Sequence, residues 1–159
     1  MTLHELLALF TSKNIEYTTA HLDAVDQNAQ LTDVASDSRE VTPGSLFVCK
    51  GAHFSPAYLA SAVEAGAVAY LCQQSLAEEL QAVAPNVAAI RVDDVRLAMA
   101  YAAAGVAGHP DKKLTTIGIT GTKGKSTCSY MLRAILDGDE PYSKCGVIGG
   151  IEEIGRAHV

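Results

Sequence analysis

The chain has 159 residues, 48% hydrophobic and 19% charged, which is the balance of an ordinary globular protein and not of a disordered tail. Its 18 acidic residues against 12 basic ones give a net charge of −6 with no long run of either sign, so a general binder of nucleic acid or of an anionic membrane is disfavoured. No stretch approaches the roughly 18 to 20 consecutive apolar residues of a membrane span, and Glu5 stands where a signal peptide would carry basic residues, so a protein kept in the cytoplasm is expected.

Thr2 and Glu5 have the spacing of a capping box, and Leu3, Leu6, Leu7 and Phe10 recur at helical spacing, which predicts a short amphipathic helix at the start. Between Leu31 and Cys49 the text predicts a strand, a turn at Pro43-Gly44 and the apolar strand LFVC. Ser55-Pro56 reads as the N-cap and first-turn proline of an alanine-rich helix to Ala65, which Gly66 ends before the strand AVAYLC. Ser75 with Glu78 reads as a second capping box for a helix near 76 to 83. VAAIRV follows as a strand, and Asp93 or Asp94 caps a helix rich in Ala, Leu and Met. Residues 31 to 107 therefore read as a small α/β domain. AGHPDKK, from Ala107 to Lys113, shows no regular pattern and reads as a connection, which sets a domain boundary near residue 110.

Beyond it, LTTIGIT is a β-branched run, GTKGKST a glycine-containing turn, and CSYMLRAIL has apolar residues at helical spacing, so the order strand, loop, helix is expected. In such a turn the backbone N–H groups of Gly121, Thr122, Lys123, Gly124, Lys125, Ser126 and Thr127 converge at a helix N-terminus and cradle an anion. Lys125 would set a positive charge against the β- and γ-phosphates of a nucleotide, and the Ser126 hydroxyl can ligate the Mg²⁺ that bridges them. The strict pattern G-x-x-x-x-G-K-[ST] wants glycine at position 119, where this chain has Ile119, so the loop is a variant with Gly118 and Gly121 instead. Cys49, Cys72, Cys128 and Cys145 form no C-x-x-C pair and no two histidines stand at H-x-x-x-H spacing. Reduced, mostly buried thiols are the reading, without a structural zinc.

GITGTKGKST resembles the ATP-binding loop of the Mur ligases, the amino-acid ligases that build the peptidoglycan stem peptide. Independently, SDSREVTPGSLFVCKGAHF resembles the substrate-binding N-terminal domain of the member that adds the third residue, and the two motifs follow in the family's order. The resemblance implies a UDP-sugar-binding domain over 1–110 and the start of a central ATP-binding parallel-sheet domain over 111–152. It also implies that residues 121 to 127 bind ATP, with Lys125 on the phosphates and Ser126 near Mg²⁺. Ser36, Ser38, Ala52 and His53, with Phe54 beside them, would lie along the uridine nucleotide. Read from the residues alone, Asp37, Ser38 and Arg39 are equally good turn formers.

The implied reaction joins L-lysine or meso-diaminopimelate to UDP-N-acetylmuramoyl-L-alanyl-D-glutamate. The D-glutamate carboxylate takes the γ-phosphoryl group of ATP to give an acyl phosphate, which the incoming amine captures. Two other readings stand beside it: the ligase adding D-alanyl-D-alanine, whose loop usually has asparagine at the position of Lys123, and a non-catalytic UDP-sugar or nucleotide-binding module. Folylpolyglutamate synthase shares the loop type but begins close to it. A parallel P-loop sheet needs several βαβ units of about 30 residues each, so a truncated ATP domain, inactive alone and with an uncovered apolar helix face, is expected. Ile154 to Val159 match the translation of a sequencing-library adapter, so 153–159 is expected to be a non-native tail. Which amino acid is added and the oligomeric state are left open.

Overall fold

A computed structural model describes residues 1–52, 54–138 and 145–149, together with the backbone of 153–154. The chain divides into two compact units, Met1–Leu114 and Thr115–Val159.

The first unit opens with α1 (Leu3–Ser12), whose capping box forms as its spacing predicts: the Glu5 N–H donates to Thr2 Oγ1 at 3.1 Å and the Thr2 N–H to the Glu5 carboxylate at 2.8 Å. Next come β1 (Tyr17–Ala20), a 3-10 turn at Leu22–Ala24, β2 (Val34–Ala35), β3 (Leu46–Val48), α2 (Pro56–Glu64) and β4 (Ala69–Gln73). A 3-10 turn at Gln74–Leu76 leads into α3 (Ala77–Val83), β5 (Ala88–Val92) and α4 (Val95–Val106). The five strands make one mixed sheet in the order β1-β5-β4-β3-β2, with β1 antiparallel to β5 and every other pair parallel.

The strands' alternation builds two apolar faces from one sheet. Leu46 and Val48, Ala69 and Leu71, and Ala88, Ile90 and Val92 pack with Leu3, Leu6, Phe10, Ala98 and Ala102 of α1 and α4. Phe47 and Cys49, Tyr70 and Cys72, and Ala89 pack with Leu59, Ala62 and Leu80 of α2 and α3 on the other side. Burial of the sheet on both faces is why LFVC, AVAYLC and VAAIRV read as continuous apolar runs.

Three expectations are corrected here. β1 belongs to the sheet although the residues alone place the α/β block at 31 to 107 and no strand before it; YTTA is an edge strand of four residues, too short and too polar on one side for an apolar run to reveal it. The second capping box does not form, because the 3-10 turn draws Ser75 into its own geometry and α3 starts on Leu76 with no side-chain cap. Ser55 is the N-cap of α2 and Pro56 its first residue, as the sequence predicts, although the Ser55 side chain makes no cap bond. AGHPDKK is not wholly irregular, since Pro110–Lys112 form a 3-10 turn after His109 at φ +55°. The alternative between Asp93 and Asp94 resolves to Asp94, whose carboxylate accepts from the Arg96 and Leu97 N–H groups at 3.0 Å each.

The second unit contains α5 (Lys125–Asp137) and the strand pair β6 (Val147–Ile148) and β7 (Glu153–Ile154), which run antiparallel. No strand is assigned to 115–120, against the expectation for LTTIGIT. A strand is defined by its ladder, and among the described residues this segment has no neighbour to pair with. Its alternation survives: Thr115, Ile117 and Ile119 line one groove of about 160 Å³ with Ser129, Leu132 and Leu136 of α5 and with Val147 and Ile148. The apolar residues left in solvent include Ile135, 74% exposed, and Ile148, 86% exposed, as expected of an uncovered face. The expected tail falls on β7 as far as Ile154 and lies outside the described residues from 155 on. Among the described residues no helix is long and apolar enough to cross a membrane.

Candidate functional site

Two sites carry the candidate chemistry, one in each unit. In the second unit Gly121 (φ +149°) and Gly124 (φ +79°) bend the chain into α5, and Gly124 is the helix N-cap in a left-handed conformation that only glycine adopts without strain. A glycine N-cap offers no side chain, and among the described residues no side chain caps the first-turn N–H groups of Lys125, Ser126 and Thr127. Three donors therefore point out of the helix end into solvent, where the helix dipole favours negative charge. The Lys125 ammonium donates to the Gly121 carbonyl at 2.7 Å, which holds it across the loop. Gly121, Thr122, Lys123, Gly124, Lys125 and Thr127 are exposed and Ser126 is half-buried.

This arrangement can take the phosphates of a nucleotide. Ser126 Oγ makes no hydrogen bond among the described residues and offers one neutral oxygen ligand. Mg²⁺ beside a nucleotide is ordinarily held by few protein oxygens together with phosphate oxygens and water, and one hydroxyl at a helix N-terminus fits that donor set. Among the described residues no cluster of three His, Cys, Asp or Glu side chains gathers as a metal site of the protein's own.

In the first unit, the segments after β2 and β3 leave the sheet at the carboxyl ends of parallel strands, where open α/β sheets place ligands. They enclose a cleft of about 660 Å³ lined by Ser36, Asp37, Ser38, Arg39, Lys50, Gly51, Ala52, Phe54, Tyr58 and Ser61. The connection carrying Ser36 and Ser38 is tied down at its far end: the Gly44 N–H donates to the Gly66 carbonyl at 3.0 Å, and Thr32 Oγ1 to the Pro43 carbonyl at 3.0 Å.

Asp37 forms the turn that its residue type predicts. Its carboxylate accepts the Arg39 N–H at 3.0 Å and grips the guanidinium through Nε at 2.9 Å and Nη2 at 2.5 Å. The Arg39 side-chain bonds pull the Asp37 carboxyl down to about 2. The hydroxyls of Ser36 and Ser38 make no hydrogen bond among the described residues. Phe54 and Tyr58 meet edge to face, with ring centroids 6.3 Å apart.

Of the expected nucleotide contacts, Ser36, Ser38 and Ala52 thus share one cleft with Phe54, while His53 lies outside the described residues. Lys50, Tyr58 and Ser61 line the same cleft and were not anticipated. The i, i+4 spacing from Phe54 to Tyr58 across the start of α2 was a legible signal for one of them. The thiols divide: Cys49 and Cys72 are buried, with burial pushing Cys72 up to about 11 and Cys49 further, whereas Cys128 is exposed on α5, against the expectation of burial.

No family model matches the chain. Over 129 residues, 81% of the chain and 24% of the relative, it is 38% identical to the UDP-N-acetylmuramyl-tripeptide synthetase of Latilactobacillus sakei subsp. sakei. It is 39% identical over 119 residues to the UDP-N-acetylmuramoyl-L-alanyl-D-glutamate--L-lysine ligase of Enterococcus faecalis, covering 74% of the chain and 22% of the relative. To the corresponding 2,6-diaminopimelate ligase of Caldanaerobacter subterraneus subsp. tengcongensis it is 37% identical over 129 residues, 80% of the chain and 25% of the relative. The chain spans about a quarter of the length of the curated relatives it matches.

Proposed function

The chain belongs to the Mur ligase family, and from that premise we propose that it serves in the ATP-dependent addition of the third residue, L-lysine or meso-diaminopimelate, to UDP-N-acetylmuramoyl-L-alanyl-D-glutamate. The observation that carries the reading is the glycine-capped start of α5, with three uncapped N–H donors and Lys125 beside them. In this reading Gly121 to Thr127 would hold the triphosphate of ATP, Lys125 would neutralise charge on the β- and γ-phosphates, and Ser126 would supply one oxygen ligand to Mg²⁺, whose charge would help to neutralise the transferring phosphoryl group. The D-glutamate carboxylate attacks the γ-phosphorus in line, ADP leaves, and the amine of the incoming amino acid displaces phosphate from the acyl phosphate to form the amide. Alignment and charge neutralisation carry most of the rate in such a transfer.

The cleft of the first unit takes the uridine end of the substrate, through the hydroxyls of Ser36 and Ser38 and through Ala52, and the family resemblance adds His53 of the same segment. It supplies binding energy far from the reacting carboxylate. Amide formation by the whole ligase draws on residues in the part of the relatives' length that this chain does not span.

A chimera tests this directly. Residues 1–149 replace the matching segment of the Latilactobacillus sakei synthetase, and ADP release is followed with the UDP-dipeptide and each diamino acid. The chimera is expected to make tripeptide, and its Lys125→Ala variant to lose at least about a hundredfold in kcat with unchanged circular dichroism. A folded chimera without activity, or normal turnover by the Lys125 variant, overturns the reading.

A further inference from the structure

The cleft between the ends of β2 and β3 holds two cations with different availability. Arg39 is committed: Asp37 occupies its guanidinium fork through both Nε and Nη2. Lys50, half-buried two residues after the end of β3, makes no ion pair or hydrogen bond through its side chain among the described residues. In a chain of net charge −6, an uncompensated ammonium set into a cleft is a local attraction for an anion. Beside it stand the Phe54–Tyr58 pair, which offers π-surface, and the free hydroxyls of Ser36 and Ser38, which can read the edge of a heterocycle or a ribose. At about 660 Å³ the cleft falls within the size range of small-molecule sites, about 300 to 1,000 Å³.

We propose that Lys50 is the residue that reads the diphosphate of a nucleoside diphosphate in this cleft, with the base lying against Phe54 and Tyr58 and Arg39 held out of contact by Asp37; the assignment rests on the reading of the cleft as the uridine site. A lysine at this place acts as a point charge, so it follows phosphate without demanding the two-pronged geometry that an arginine imposes. The division of labour separates the terms of recognition. Base and ribose contacts are neutral and insensitive to salt, whereas the Lys50 contact is electrostatic and screened by it.

The test is isothermal titration of the full chain and its Lys50→Gln and Lys50→Arg variants with uridine and with UDP, at low and at high sodium chloride, with circular dichroism as the check on folding. Wild type is expected to bind UDP more tightly than uridine, by a margin that shrinks with salt. Lys50→Gln is expected to lose about tenfold for UDP, with uridine unchanged and most of the salt dependence gone, and Lys50→Arg to recover most of the loss. Equal weakening of both ligands makes Lys50 a structural residue and overturns the proposal, as does unchanged UDP binding. Uridine binding without any gain for UDP in wild type overturns the role of Lys50 and leaves the uridine site standing. A folded wild-type chain that binds neither ligand removes the uridine site and the role of Lys50 with it.

Discussion

Asp37 shows how one residue type serves a turn and a site together. Its carboxylate closes the turn on the Arg39 N–H and neutralises the guanidinium, so the charge balance of the cleft is decided by a local pair two residues apart. Because Arg39 favours the ionised form, the carboxyl falls from its ordinary 3.8 to about 2. A depressed carboxyl contributes while the pH is above the ordinary value, and its contribution is lost as the pH falls through the depressed one. The pair is therefore expected to persist through pH 3.8 and to open as the pH approaches 2. Carbon-detected NMR titration of the Asp37 carboxyl checks this, and a midpoint near the ordinary value would show that the pair does not hold in solution. Both residues are exposed enough that the turn, not global stability, is what it governs.

At the scale of elements, the start signals differ in how far they carry. Thr2 and Glu5 form their box and Asp94 caps α4, whereas Ser75 does not cap α3 and Ser55 caps α2 by position alone. Asp93 and Asp94 are indistinguishable as residue types, and only the path from β5 into α4 selects one. Asp94→Ala is expected to cost about 1 kcal/mol in urea unfolding, and Asp93→Ala, which removes no described bond, less than about 0.5 kcal/mol.

The α2–β4 connection has a stricter demand. Gly66 sits at φ +104°, and a Cβ there would stand 2.9 Å from Pro43 Cα, a backbone atom held by the Gly44 to Gly66 hydrogen bond. Gly66→Ala is expected to destabilise by about 1 kcal/mol or more through strain and that contact together. Because Pro43 belongs to the connection that also carries Ser36 and Ser38, the variant is expected to weaken UDP binding as well under the proposed reading of the cleft. A variant as stable as wild type in the same urea series would show that the connection gives way freely.

For the whole molecule, the two units differ in how they are covered. The first buries both faces of its sheet under helix pairs, which gives it its own core. In the described part of the second, Ile117, Met131, Ile135, Leu136 and Ile148 stand in solvent and no α5 side chain is buried. Residues 1–114 alone are expected to unfold cooperatively and to sediment as a monomer at concentrations where the full chain associates. Association of both to the same degree would place the sticky surface in the first unit.

The sequence by itself determined the alternation of helix and strand from Leu31 to Val106, the helix ends marked by Thr2, Pro56 and Gly66, the glycine loop before α5 and the family resemblance, because each is written in local spacing. Periodicity, caps and turn residues act within a few positions. Only the tertiary structure decided that YTTA pairs as an edge strand and that LTTIGIT lacks a ladder, since pairing depends on a neighbour distant in the chain. The same holds for the cleft. Ser36 and Lys50 line one cleft because β2 and β3 run parallel and side by side, so both segments emerge at the same end of the strands, and the fact that Asp37 occupies Arg39 while Lys50 stays uncommitted among the described residues is a matter of contact that residue type alone does not specify.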